Sequence, residues 1–276
     1  MKLVVEGLAF DLSKKPLSIA ITLDFEGDQP NHFGAAVATA KPMRSGDFIG
    51  DTRQGGSCNA HDVYLNPHCN GTHTESISHI IDEVIAPFEV IKKPLLLAQL
   101  ITVTPEAGYA GDEKYCPTLG ETDKIISKEM LTEVCGSLHD SVKSLIIRTL
   151  PNNEDKLSNQ YGEAMQPPFF TNDAMLWLSK ETGVEHLLVD FPSVDRLYDD
   201  GLLSNHRIFW GVEKGCHKMK DTHYQHKTIT EMAYIPNHIA DDLYLLNLQT
   251  PKLKLNAVPS HPVLFRPLEL DSLALD

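Results

Sequence analysis

Asn66-Pro67-His68-Cys69-Asn70-Gly71-Thr72-His73-Thr74-Glu75-Ser76-Ile77-Ser78-His79 gathers three of the chain's 13 histidines with a cysteine and a carboxylate. The run leaves an apolar segment, Val63–Leu65, that reads as a strand. If the chain continues extended, side chains alternate faces, and Cys69, His73 and Glu75 fall on one side. Thiolate, imidazole and carboxylate converging on one point suit a borderline cation such as zinc. His68 then points the other way, unless the Asn70-Gly71 turn signal adds a bulge. His79 opens a stretch in which Ile77, Ile80, Ile81, Val84 and Ile85 have the spacing of a short helix. The competing reading is an edge strand carrying solvated histidines and a Glu75–His79 ion pair; short His/Glu spacings alone do not separate the two.

Outward from this run, the pattern alternates helices with apolar strands. Ile126, Met130, Val134 and Leu138 recur at helical spacing and predict a helix over 123–138. A second is predicted over 172–181, with Asn172 as cap and Gly183 as stop signal. Each leads into an apolar strand, at 144–150 and 186–191. Strands are also expected at 95–104 and 243–248, from apolar enrichment and proline boundaries. The fold class is mixed α/β, read as one domain over 1–276.

Composition narrows the function. Apolar residues make up 42% and charged residues 22%, ordinary globular values. Lys and Arg total 24 against 38 Asp and Glu, a net charge of −14, so no nucleic acid and no anionic membrane is expected as a partner. Five scattered cysteines make no disulfide framework. No signal-peptide core and no run of about 18 apolar residues is seen, so a cytoplasmic, reduced protein is the expectation. His73-Thr74-Glu75 mimics a deaminase H-x-E, but no P-C-x-x-C follows. H-E-x-x-H, G-x-S-x-G and glycine-rich nucleotide loops are missing as well.

Residues 69–79 resemble the H-x-G-T-H-x-D-x-P-x-H motif of the cyclase family, which includes bacterial kynurenine formamidases and isatin hydrolases. Asp11-Leu12-Ser13 and Phe25-Glu26-Gly27-Asp28 resemble that family's D-[IL]-S opening and W-P-G-D loop. Gly183-Val-Glu-His-Leu-Leu-Val-Asp-Phe-Pro-Ser-Val-Asp195 resembles its strand and turn before the distal ligands, and His206 and Glu231 resemble its distal His and Glu. The matches run in order along almost the whole chain. On them the protein is identified as a member.

The resemblance implies a swivelling β/β/α fold, with a central mixed sheet or flattened barrel flanked by helices, and one or two divalent metals. His73 matches a first-metal ligand and Glu75 the aspartate that bridges two metals. His79 matches a general acid/base, and His206 with Glu231 the ligands of the second metal. Phe25 stands where the family has a substrate-packing Trp. Counting back from Gly71 puts Cys69 at the first ligand position, whereas the family's Pro-His match selects His68; of the two, Cys69 is the preferred reading. A Cys69 ligand would favour zinc, and His68 would leave manganese equally open. Ile77 replaces the motif's proline. Residues 213–225 form an insertion, read as a solvated loop rather than a lid, with His217, His223 and His226 exposed. Asp195 is read as closing a turn.

The activity implied is metal-dependent hydrolysis of a small amide, either an N-formylkynurenine-like arylformamide or an isatin-like lactam. A metal-activated water attacks the carbonyl, and His79 moves the proton. The alternative is a non-catalytic metal-binding or assembly protein on the same scaffold. The resemblance further implies a homodimer or homotetramer.

Overall fold

The strands expected at 95–104, 144–150, 186–191 and 243–248 lie in a single sheet of nine. The computed structural model describes residues 1–108, 112–136 and 138–268. In chain order the sheet contains β1 (Leu17–Ser18), β2 (His73–Ser76), β3 (Leu95–Val103), β4 (Ser144–Thr149), β5 (His186–Val189), β6 (Thr228–Glu231), β7 (Leu243–Asn247), β8 (Ala257–Pro259) and β9 (Val263–Phe265). The spatial order is β8-β2-β6-β5-β4-β3-β7-β9-β1. The four central strands β3 to β6 run parallel. The strands flanking them on both sides are antiparallel.

Parallel strands covered on both faces read as continuous apolar runs, which is why these segments stood out. Their side chains nonetheless alternate. Ile101, Leu145, Leu187 and Ile229 face the helices, whereas Leu100, Ile146 and Leu188 face a second core with Ile19, Tyr244 and Leu264. On the helical side lie α1 (Lys128–Cys135), α2 (Asn172–Lys180) and α3 (Ser204–Trp210). The sheet with these few helices makes the mixed α/β fold expected of a cyclase. Among the described residues, no helix is long and apolar enough to cross a membrane.

Two predicted helices change at their starts. Lys124–Ile126 is a strand, paired in parallel with Phe169–Phe170, and Ser127 caps α1 by accepting from the Met130 N–H at 3.2 Å. The periodic Ile126 therefore belongs to the strand and not to the helix; Ser137, within the predicted span, lies outside the described residues. In α2 the cap is Thr171, whose Oγ1 accepts from the Ala174 N–H at 3.0 Å, and Asn172 is the first helical residue. The helix expected after His79 shrinks to one 3-10 turn over Ile77–His79, because Ser78 Oγ donates to the Glu83 carbonyl at 2.6 Å and folds the segment back.

Candidate metal centre

β2 and β6 pair antiparallel with His73 opposite Glu231 and Glu75 opposite Ile229. With period-two alternation, this register sends His73, Glu75 and Glu231 to one face. Ile229 belongs to the helix-side core, so that face is the helical one. Thr74 and Thr230 take the other face, their hydroxyls 2.7 Å apart. His73 Nε2 lies 3.3 Å from Glu231 Oε2. His73 Nδ1 donates to the Gly71 carbonyl at 2.9 Å, which leaves Nε2 bare in the neutral ring.

α3 supplies the fourth group. Asp195 accepts the N–H groups of Asn205 and His206 at 2.8 and 3.1 Å, satisfying two of the helix's free donors. It also takes the Tyr115 hydroxyl at 2.8 Å and His206 Nδ1 at 2.6 Å. Held this way, His206 presents Nε2 to Glu75 Oε1 at 2.9 Å and to Glu231 Oε1 at 3.7 Å. The Val194 N–H fixes Glu231 at 2.8 Å. Asp195 therefore does more than close a turn: it orients His206, a role its spacing in the sequence did not reveal.

The premise of an extended run from Val63 to Glu75 fails. Asn66 caps a helical turn, Pro67–Asn70, with Pro67 in its first position. This turn rotates His68 toward the cluster, where Nδ1 lies 3.2 Å from Glu75 Oε2. His79 Nε2 is 4.0 Å from the same oxygen. Two sets of donor atoms each lie within 4.8 Å of one another: His68, Glu75 and His79, and His73, Glu75 and Glu231. Cys69 is in neither set. It is buried, and burial together with the charge of Glu231 pushes its thiol upward, away from thiolate. Phe25 is half-buried in the loop that follows Ile21.

The 213–225 insertion is seated on the His79 segment instead of extending into solvent. The His217 carbonyl accepts the Asp82 N–H at 2.8 Å. His217 Nδ1 donates to the Ile80 carbonyl at 3.0 Å, and Lys218 Nζ meets Asp82 at 2.7 Å. His217 and His226 are exposed as expected, but His223 is buried.

Electrostatics in this cluster oppose an empty, neutral site. Burial disfavours charge on His206, yet the Glu75 and Asp195 carboxylates hold it well above the usual imidazole range. Burial likewise works against ionised Glu75, but His79 and His206 hold it well below the usual carboxylate range. Burial, then the neighbouring charge of Glu75, pushes Glu231 up. His79 is lowered to about 4 by burial and by the nearby imidazoles, against the pull of Glu75. Despite these short approaches, His73 Nε2, both Glu75 oxygens and His206 Nε2 are buried with no properly directed hydrogen bond. An unpaired buried polar atom costs about 1–3 kcal/mol, so four at one point demand a common partner. A His/Glu donor set of this kind suits a divalent cation.

A separate cavity of about 350 Å³ opens at the carboxyl ends of β3, β4 and β5, beside Thr149, Lys156, Tyr161 and Asp190. Asp190, the first aspartate of the Asp-Phe-Pro-Ser-Val-Asp run, is tied there to Lys156 at 2.7 Å and to the Thr149 N–H at 2.8 Å. None of the cluster residues lines that cavity.

The Asp195–His206 contact yields a first prediction. Asp195→Asn removes the charge that orients His206 while keeping the shape, so metal affinity should fall about 10–100-fold. Titration of the apo protein with zinc measures this; unchanged affinity would make Asp195 a plain helix cap.

A family profile described as "Putative cyclase" matches residues 16–196, a span that includes Glu75 and Asp195 and ends before His206. The fold is similar to a predicted metal-dependent hydrolase from Bacillus stearothermophilus, at 12% identity and a TM-score of 0.58, covering 91% of this chain and 98% of that one. It is similar to an isatin hydrolase bound to the product analogue thioisatinate, at 14% identity and a TM-score of 0.54, covering 84% and 82%. Isatin hydrolase A from Labrenzia aggregata, bound to benzyl benzoate, aligns at 14% identity and a TM-score of 0.56, covering 91% and 93%. No curated protein matches the chain.

Proposed function

The chain belongs to the Cyclase family, and from that premise we propose that it is a metal-dependent hydrolase cleaving the C–N bond of a small amide, an N-formylkynurenine-like arylformamide or an isatin-like lactam. The observation that carries this reading is the convergence of four buried, unpartnered donor atoms from His73, Glu75 and His206. His73, Glu75, His206 and Glu231 would hold the metal, with His68 as the further ligand in preference to Cys69. Zinc fits this nitrogen and oxygen set, and manganese fits it as well.

When bound, the cation supplies the Lewis acidity that amide hydrolysis requires. The chain's own residues do the rest. Asp195 fixes the ring of His206, and the Gly71 carbonyl fixes that of His73. The imidazole of His79, lowered to about 4 and hence neutral at physiological pH, accepts a proton from the attacking water and delivers it to the leaving nitrogen. Its side chain is 24% exposed, which leaves an edge open to a substrate.

The test is elemental analysis of protein purified without chelators, for wild type, Cys69→Ala and His68→Ala, followed by assay with isatin and N-formylkynurenine. Metal retained in Cys69→Ala and diminished in His68→Ala, with turnover of at least one amide, is the expected result. Protein that takes up neither zinc nor manganese would end the hydrolase reading. Metal held tightly without turnover of either amide would favour the non-catalytic alternative.

A further inference from the structure

No motif singles out His32, yet it is buried beside the metal cluster. It lies in a two-residue strand, Asn31–His32, that pairs in parallel with Gln160–Tyr161. The residue is only 4% exposed, and its Nδ1 is buried with no hydrogen-bond partner. Four of the eight other unpartnered buried atoms in the described residues belong to the metal cluster, and His32 adjoins that cluster. The helical turn carrying His68 packs on the His32 strand. Asn70 at the end of that turn donates to the Ala36 carbonyl at 3.1 Å, tying the two segments together. The charges of His73 and His68 reach His32 strongly enough to add to the effect of burial on it.

The main chain on either side of His32 is tied down. The His32 carbonyl accepts the Ala35 N–H at 3.3 Å across a turn whose central residues, Phe33 and Gly34, are both left-handed, with φ of 59° and 60°. Phe33 is a bulky residue in a conformation that such side chains rarely adopt, and strain of this kind concentrates at functional positions. It stays 59% exposed and meets Tyr198 edge-on, with ring centroids 6.3 Å apart. Tyr198 belongs to the segment between Asp195 and α3, so the aromatic pair joins the His32 side of the cluster to the His206 side. On the other flank, the Asn31 N–H donates to the Asn159 carbonyl at 2.9 Å.

Unlike His206, His32 has no carboxylate to orient it, and unlike His73 its free nitrogen faces no carboxylate across a cation-sized gap. A buried ring nitrogen left unpaired beside the cluster is available to a ligand's polar group. We propose that His32 contacts the substrate of this site, its Nδ1 completing a hydrogen bond to a polar atom of the amide. The assignment rests on the hydrolase reading above and adds a specificity residue to it. Phe33 and Tyr198 place apolar surface beside that contact, which matches an amide borne on a planar ring.

Two variants test it. His32→Phe fills the same space without the nitrogen, and His32→Asn restores a polar atom near the Nδ1 position. Replacing an unpaired buried polar group by an apolar one of similar shape is neutral or stabilising. His32→Phe should therefore melt no lower than wild type and keep its metal content. On whichever of isatin or N-formylkynurenine the wild type hydrolyses, its kcat/KM should fall about tenfold or more, the order expected for one lost hydrogen bond to substrate. His32→Asn should recover most of that loss. A melting point several degrees below wild type would make His32 a structural residue, and loss of metal would make it a ligand; either overturns the proposal. A kcat/KM within twofold of a normally active wild type overturns it too, leaving the hydrolase reading intact. A wild type inactive on both amides ends the hydrolase reading and this inference with it.

Discussion

Glu75→Gln should strip the protein of metal and of hydrolytic activity together. Glu75 is the one carboxylate common to both clusters of convergent donors, within 2.9 Å of His206, 3.2 Å of His68 and 4.0 Å of His79. It is wholly buried, shielded from bulk solvent. The amide of glutamine keeps the shape but donates little charge to a cation. The loss of metal binding should be several kcal/mol, about a thousandfold or more in affinity. The strand itself should survive, since β2 is paired through its backbone on both sides, to β6 and to β8. A cooperative melt of the variant would show this. Elemental analysis beside a hydrolysis assay decides the role: wild-type metal content in Glu75→Gln would remove Glu75 from the ligand set.

His79→Ala should act on the rate alone. A positioned general acid/base contributes about 10²–10⁴-fold, so kcat should drop by that range while metal content stays at the wild-type level. One limb of the pH–rate profile should disappear with it. The competing possibility is built into the geometry, because His79 lies within 4.8 Å of His68 and Glu75 as a third possible ligand. Metal analysis separates the two: loss of metal in His79→Ala would place His79 among the ligands, and a rate within a few-fold of wild type would deny it both roles.

The readability of this molecule from its sequence varied with distance along the chain. His73 and Glu75 could be paired by alternation because β2 is truly extended. His206 and Glu231 came only through resemblance; nothing local says that α3 and β6 meet β2. The preference for Cys69 over His68 rested on an extended run and passed over a signal that was present: Asn66 followed by Pro67 is a helix start, and one helical turn changes the facing of the next residues. Asp195 was hidden because its partner lies on the next helix, and His32 because a lone histidine in a two-residue strand carries no pattern. The central strands were visible by their apolar content, but their order, set by pairings such as Ala98 with Ser144, could not be.

The place of β2 in the sheet has a further consequence, one of timing. His73, Glu75 and Thr74 are sandwiched between Glu231, Ile229 and Thr230 on one side and Pro259, Ala257 and Val258 on the other. The last partner lies far downstream of β2, and pairings so far apart in sequence are slow to close. A nascent chain that stops short of Ala257 already contains His68, His73, Glu75, His206 and Glu231, but the strand presenting two of them is still a raw sheet edge. Retention of metal would then require that this long-range pairing has formed, so that a chain with β8 still unpaired is distinguished from a folded one by what it can hold.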